Sequence, residues 1–217
     1  MKKALICFTR VPRAGVTKTR LLPILTPEQC TELHWAFLRD LVEVYRQVDA
    51  DLYVAYTPDP DWEQLKAVFP MAAGFFPQEG GGLGEKMDRA IRQVLATDCD
   101  AVVLTGADLP LMTAAHLESG FAALETADIA IGLTSDGGYY LVGTKQPCPE
   151  IFENQQYGGA SVYENTLAAA KAAGYTAGAA LPCDDVDTPE DLRGLTVPPD
   201  THTGAYLETL RKAGISL

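Results

Sequence analysis

The sequence lacks any Cys-x-x-Cys pair, and its five cysteines (Cys7, Cys30, Cys99, Cys148, Cys183) are odd in number and scattered. A disulfide framework is thereby excluded, and reduced, mostly buried thiols are the expected state. Histidine is scarce as well: His34, His116 and His202 stand far apart with no H-E-x-x-H spacing, which argues against a zinc centre. Basic residues are outnumbered, 17 Lys and Arg against 29 Asp and Glu, and a formal charge of −12 is the wrong sign for a nucleic-acid partner. No apolar run approaches the roughly 18 to 20 residues that span a bilayer. The N-terminal run Ala4 to Phe8 is too short for a secretory signal and is followed at once by Arg10 and Arg13, so a cytoplasmic protein with no membrane partner is expected.

What the chain does contain is ordinary globular material without low-complexity tracts, in a length of 217 residues that suits one α/β domain. Its charge is unevenly distributed. Six basic residues and no acid lie between Met1 and Arg20, inside an otherwise acidic protein, which points to a local anion site. Apolar, β-rich runs at Ala4 to Thr9, Leu52 to Thr57, Ala101 to Thr105, Ile129 to Leu133 and Tyr139 to Val142 predict strands. Helix starts are predicted at Thr26-Pro27, Asp59-Pro60, Thr113, Ser161 and Thr188-Pro189 from capping chemistry. Leu33, Phe37, Leu41, Val44 and Val48 form one helical stripe, and Met87, Ile91 and Leu95 another. Such alternation predicts an α/β fold of three layers around a mostly parallel, doubly wound sheet, whose ligands bind beyond the carboxyl ends of the strands.

Five loops carry candidate chemistry. In Thr9 to Leu21, Arg10, Lys18 and Arg20 suit phosphate oxygens and Gly15 permits close backbone approach; a solvated basic turn is the plain alternative. The loop has neither the Walker A nor the G-x-G-x-x-G pattern. In Gln78 to Met87, four glycines including Gly82 and Gly84 open onto a helix, an entry that suits a ribose or phosphate but also a merely mobile loop. Asp108 follows an apolar strand and Gly106, where an acid can hold Mg2+ against phosphates or serve as a turn acid. Asp185 and Asp187, two apart, project to one side of an extended segment and complete a candidate metal set with Asp108, while Asp191 is explained by helix capping. Finally Asp136, Gly137, Gly138 and Tyr139 predict a hairpin turn and a candidate acceptor site.

The ordered set Arg10-x-Pro12-x-x-Gly15-x-x-Lys18-Thr19-Arg20-Leu21, Gln78 to Met87, Gly106-x-Asp108-x-Pro110, Asp136-Gly137-Gly138-Tyr139-Tyr140-Leu141 and Asp185-x-Asp187-Thr188-Pro189-x-Asp191-Leu192 resembles a little-characterised bacterial family of glycosyltransferase-A-like proteins. More distantly it is similar to 2-phospholactate and molybdenum cofactor guanylyltransferases. The likeness runs from about Ala4 to Leu195, with Lys86 where arginine is expected and Ala107 and Leu109 in place of threonine and cysteine. It implies the nucleotide-diphospho-sugar transferase fold, with a nucleotide-binding half (1–110) and an acceptor half (111–195); the tail (196–217) lies beyond the likeness and is left for either packing or self-association as a homodimer. It further implies that Arg10, Gly15, Lys18 and Arg20 meet phosphates, that Gln78, Gly82 and Gly84 meet base and ribose, and that Asp108, Asp185 and Asp187 hold Mg2+ or Mn2+.

The expected reaction is in-line attack of a small phosphorylated acceptor on the α-phosphorus of a nucleoside triphosphate. Lys18 and the metal at Asp108 would stabilise the developing charge, and an ionised acceptor would need no general base. A glycosyltransferase using a nucleotide-sugar is the first alternative, and a non-catalytic nucleotide-binding module the second.

Overall fold

A computed structural model describes all 217 residues. Its strands are β1 (Lys3–Thr9), β2 (Asp51–Tyr56), β3 (Gly74–Pro77), β4 (Ala101–Thr105), β5 (Ile129–Leu133), β6 (Tyr139–Thr144) and β7 (Ala177–Ala179). Its helices are α1 (Pro27–Tyr45), α2 (Gln64–Val68), α3 (Leu83–Leu95), α4 (Ala114–Thr126), α5 (Val162–Ala172), α6 (Pro189–Gly194) and α7 (His202–Lys212). The strands form one seven-stranded sheet in the order β3-β2-β1-β4-β6-β5-β7, in which only β6 runs against its neighbours. The mostly parallel sheet expected from the alternation of elements is therefore present, with two short strands, β3 and β7, added at its edges.

The alternation of side chains along each strand divides the core into two layers. Leu5 and Cys7 of β1 and Val103 of β4 pack with Leu38, Leu41 and Tyr45 of α1 and Phe121 of α4. Ala4, Ile6, Val102 and Leu104 face the other way, onto Met87, Ile91 and Val94 of α3 and Ala170 of α5. The stripe predicted for α1 is in fact split. Leu33 and Phe37 leave the sheet and form a third cluster with Leu192 of α6 and Leu207 and Leu210 of α7, so the tail packs on α1.

Helix starts follow the capping logic at Thr26, whose side chain accepts from Gln29 N while Gln29 returns to Thr26 N, and at Thr188 with Asp191. Asp59-Pro60 does not open a helix, because Asp59 is committed elsewhere: it accepts from Asp61 N and holds the Arg13 guanidinium. Four cysteines are buried and Cys99 is half-buried. No helix is long and apolar enough to cross a membrane.

Candidate active site

The sheet order turns back on itself between β1 and β4, which are parallel neighbours whose connections leave in opposite directions, and a crevice opens where their carboxyl ends part. The loop after β1 begins at Arg10 and is folded by two amides, Val16 and Thr17, donating to Arg13 O, with Gly15 left-handed at φ 76°. Lys18 is left-handed too, at φ 52°, an uncommon conformation for a non-glycine residue. That backbone turns its side chain inward until it is only 2% exposed. The ammonium donates to Val186 O at 2.5 Å and meets Asp108 Oδ1 at 2.5 Å and Asp187 Oδ1 at 3.1 Å. Its three protons are thereby committed. Asp108 closes the link by accepting Val186 N on its backbone carbonyl, so the loop after β4 and the segment before α6 are tied together beneath Lys18.

His34, from the buried face of α1, stands with Nδ1 3.0 Å from Asp108 Oδ1 and Nε2 3.4 Å from Thr9 Oγ1. Burial pushes the Asp108 carboxyl up, but Lys18 and His34 outweigh burial and hold it well below the usual carboxylate range. Asp185 behaves oppositely. Burial raises it first, then repulsion from Asp187, Asp136 and Asp108, and only Lys18 opposes, so its carboxyl is pushed up to about 6.

Three cavities meet at Asp108. The first, about 240 Å3, has no apolar residue in its wall and is lined by Arg10, Lys18, Arg20, Thr17, His34 and Asp187 as well as Asp108. The second, about 300 Å3, runs from Phe8 and Thr9 past Thr57 to Gly82 and Lys86 at the start of α3. The third, about 310 Å3, lies between the hairpin turn after β5 and the start of α3, and includes Asp136, Gly138, Tyr139, Asp185 and Asp187. The three loop cations are thus gathered on one wall, and the residues expected at an acceptor end are gathered on another.

Several residues singled out from sequence stand elsewhere or are already occupied. Gln78 borders the second cavity, but its amide donates to Thr9 O and Ala55 O and its carbonyl accepts from Thr57 Oγ1, which leaves little of it to read a base. Gly15 shapes its loop and lines none of the three cavities. Gly84 is a packing residue: a Cβ there would lie 2.5 Å from Phe152 O and 2.8 Å from the Tyr157 hydroxyl. Gly137, at φ 86°, is likewise pressed against Ala160, while its neighbours Asp136 and Gly138 line the cavity.

Asp108, Asp185 and Asp187 share the third cavity, yet no three acids, histidines or cysteines stand at the spacing of a metal centre, because the Lys18 ammonium lies between Asp108 and Asp187. His34 and Tyr157 were not anticipated; a histidine in the apolar face of α1 was the available signal for the former.

This sheet and crevice are those of the nucleotide-diphospho-sugar transferase fold. A provisionally named nucleotide-diphospho-sugar transferase from Desulfovibrio desulfuricans G20 superposes with a TM-score of 0.89 at 30% identity, covering 98% of this chain and 96% of that one. Residues 40–159 match the family described as an uncharacterised protein conserved in bacteria (DUF2064), and the chain belongs to that family. A curated relative from Sphaerobacter thermophilus, named phosphoenolpyruvate guanylyltransferase, is 31% identical over 129 residues, which span 58% of this chain and 60% of that protein. The match therefore covers only about three-fifths of the relative's length. CMP:2-keto-3-deoxy-manno-octonic acid synthetase, solved with CTP, shares the fold alone, with a TM-score of 0.57 at 12% identity over 98% of this chain and all of that one.

Proposed function

We propose that this protein is a transferase acting on a nucleotide donor, and that nucleotidyl transfer is its reaction. The observation that carries this is the meeting of three cavities at Asp108: a phosphate-sized cavity rimmed by Arg10, Lys18 and Arg20, a groove beside Gly82 and Lys86, and a separate acceptor cavity. The polar cavity suits the donor's phosphates, with Arg10 and the largely exposed Arg20 guanidinium free to turn onto them. The groove suits ribose and base, read by Lys86 and backbone groups rather than by the occupied Gln78. The name of the 31% identical relative supports nucleotidyl transfer over other uses of the fold.

Such chemistry calls for a divalent cation, and the oxygen chemistry of the lining acids, though not their present spacing around Lys18, suits one. Asp185 lies among carboxylates that Lys18 only partly offsets, Asp108 and Asp187 each keep an oxygen that Lys18 does not take, and hard carboxylate oxygens are what Mg2+ or Mn2+ prefer. Asp108, Asp185 and Asp187 would hold the ion, which supplies charge neutralisation for the phosphates and leaving group. Lys18 fixes the two flanking carboxylates in place and His34 orients Asp108.

Glycosyl transfer from a nucleotide-sugar is a second reading, favoured by the mixed aromatic and carboxylate lining of the acceptor cavity. Product analysis separates them: nucleotidyl transfer releases pyrophosphate and glycosyl transfer a nucleoside diphosphate. Asp108→Asn is expected to lower turnover by at least ~100-fold with the fold intact. An Asp108→Asn protein with full activity removes Asp108 from the reaction and the reading with it.

A further inference from the structure

Gly80, Gly81, Gly82 and Gly84 lead into α3, and the loop before the helix is held by one side chain that stands outside the site. Glu85, in the first turn of α3, is exposed and lines none of the three cavities that meet at Asp108. Its Oε2 accepts the amide of Gly81 at 2.8 Å, and its Oε1 accepts the Arg89 guanidinium, one turn further along, at 2.5 Å. Gly80 lies on the same side chain: its φ is 131°, and a Cβ there would stand 3.0 Å from Glu85 Cγ. Gly81 and Gly82, held in this way, form part of the wall of the second cavity together with Lys86.

Helix capping does not account for the arrangement. The N-cap of α3 is Gly82, which has no side chain to offer, and a glutamate three residues on ordinarily returns to the N-cap amide. Glu85 reaches one residue further back, to Gly81, so its bond acts on the loop and not on the N-cap. The bond is charge-assisted: the Gly81 amide first, and Arg89 after it, hold the Glu85 carboxyl below its ordinary range. Glycine loses more conformational freedom on ordering than any other residue, so Gly80, Gly81 and Gly82 left unheld would lose that freedom only when a ligand bound, at the expense of its affinity.

We infer that Glu85 is a positioning residue for the donor nucleoside: by holding Gly81 it keeps the glycine-rich loop in the shape that ribose and base require, without touching the donor itself. This rests on reading the second cavity as the place of ribose and base. Arg89 fixes the orientation of the carboxylate, and the same turn of helix that brings Glu85 onto the loop leaves its neighbour Lys86 on the cavity wall. The first cavity, which suits the donor's phosphates, is built from the loop after β1 with His34, Asp108 and Asp187, and Glu85 bonds to none of these. The influence of Glu85 is therefore confined to the nucleoside end of the donor.

The test compares two probes on wild-type protein, Glu85→Ala and Glu85→Gln, by calorimetric titration with Mg2+ present. Wild-type protein is first titrated with ATP, GTP, CTP and UTP, and the tightest of these is carried forward. Inorganic tripolyphosphate is the second probe and reads the phosphate cavity alone. Glu85→Ala is expected to bind the nucleotide about tenfold more weakly than wild type, and tripolyphosphate within about twofold of it. Glutamine keeps an acceptor for Gly81, so Glu85→Gln is expected to restore nucleotide binding to within about threefold of wild type. In protein labelled with 15N-glycine, the Gly81 amide proton is expected to move upfield in Glu85→Ala and to stay near its wild-type position in Glu85→Gln.

Unchanged nucleotide affinity in Glu85→Ala, an equal loss for both probes, or a Glu85→Gln protein as weak as Glu85→Ala would each overturn the inference. So would a Gly81 amide proton that alanine at 85 does not move. Failure of the donor reading is seen in wild type, before any variant is made: none of the nucleotides then binds more tightly than tripolyphosphate. In that case no nucleoside is held, and the inference falls with the reading.

Discussion

At the scale of the residue, the centre of this molecule is a lysine surrounded by acids. Lys18 is buried and bridges Asp108 and Asp187, so replacing it by methionine keeps the volume but leaves two half-exposed carboxylates facing each other. Allowing for the solvent that reaches both acids, Lys18→Met is expected to cost about 1 to 3 kcal/mol in urea unfolding. The same variant is expected to gain more stability from Mg2+ than wild type does, since an ion can then occupy the position of the ammonium. An equal Mg2+ response in the two proteins would show that the carboxylates do not compete for a cation. Asp185 makes the complementary case. Its folded-state value of about 6 lies above the roughly 3.9 of an unfolded aspartate, so the native protein binds the extra proton and stability falls as pH rises from about 4 to 6. Allowing for the solvent that reaches this half-buried group, Asp185→Asn is therefore expected to raise stability in chelator by about 1 to 2 kcal/mol at pH 7 and by little at pH 4. Thermal melts across that interval measure the difference, and a gain independent of pH would mean that Asp185 is not proton-linked.

Sequence and structure agree best where a residue's role is set by its neighbours in the chain. Arg10, Lys18 and Arg20 share one loop, and the loop alone brings them to one cavity. What occupies Gln78 and Gly84 could not be read locally because it comes from afar: Thr9 and Ala55 carbonyls for the first, Phe152 and Tyr157 for the second. Lys18 was legible as a cation, but no local pattern announces a left-handed backbone that points it at Val186, 168 residues away.

At the scale of the element, the hairpin between β5 and β6 supplies Thr134, Asp136, Gly138 and Tyr139 to the wall of the third cavity. Thr134 N donates to Gly138 O and Gly137 N to Thr134 O, which closes the turn, and Gly137 O accepts Tyr163 N at the start of α5. Alanine at 137 would need φ near 86° and would put its Cβ 2.0 Å from Ala160 O, a backbone atom that cannot rotate aside. Gly137→Ala is expected to cost about 2 to 4 kcal/mol, read as a lower urea midpoint. Stability within about 0.5 kcal/mol of wild type would mean that residues 158–161 give way freely. The longer elements were legible because their apolar periods are sustained, whereas β3 and β7 have four and three residues and become strands only through parallel pairing with β2 and β5. The stripe on α1 was legible as apolar but not as divided, since nothing local says that α7 will cover Leu33 and Phe37.

At the scale of the whole molecule, a chain with net charge −12 gathers its loop cations Arg10, Lys18 and Arg20 on one cavity and faces them across Asp108 with a cluster of carboxylates. A donor phosphate drawn to Arg10 and Arg20 must settle within reach of Asp108 and Asp187, so its affinity depends on how those acids are neutralised. Lys18 neutralises in part; a divalent cation would complete the task. The proper nucleotide with Mg2+ at about 100 times its Kd is expected to stabilise the protein by about 2.7 kcal/mol, a rise in Tm of roughly 5 to 10 °C for a domain of this size. The same nucleotide in chelator is expected to give less than half that rise. Equal rises with and without the ion would mean that Arg10 and Arg20 suffice for the phosphates, and that the elevated Asp185 carboxyl serves another part of the cleft instead of a metal.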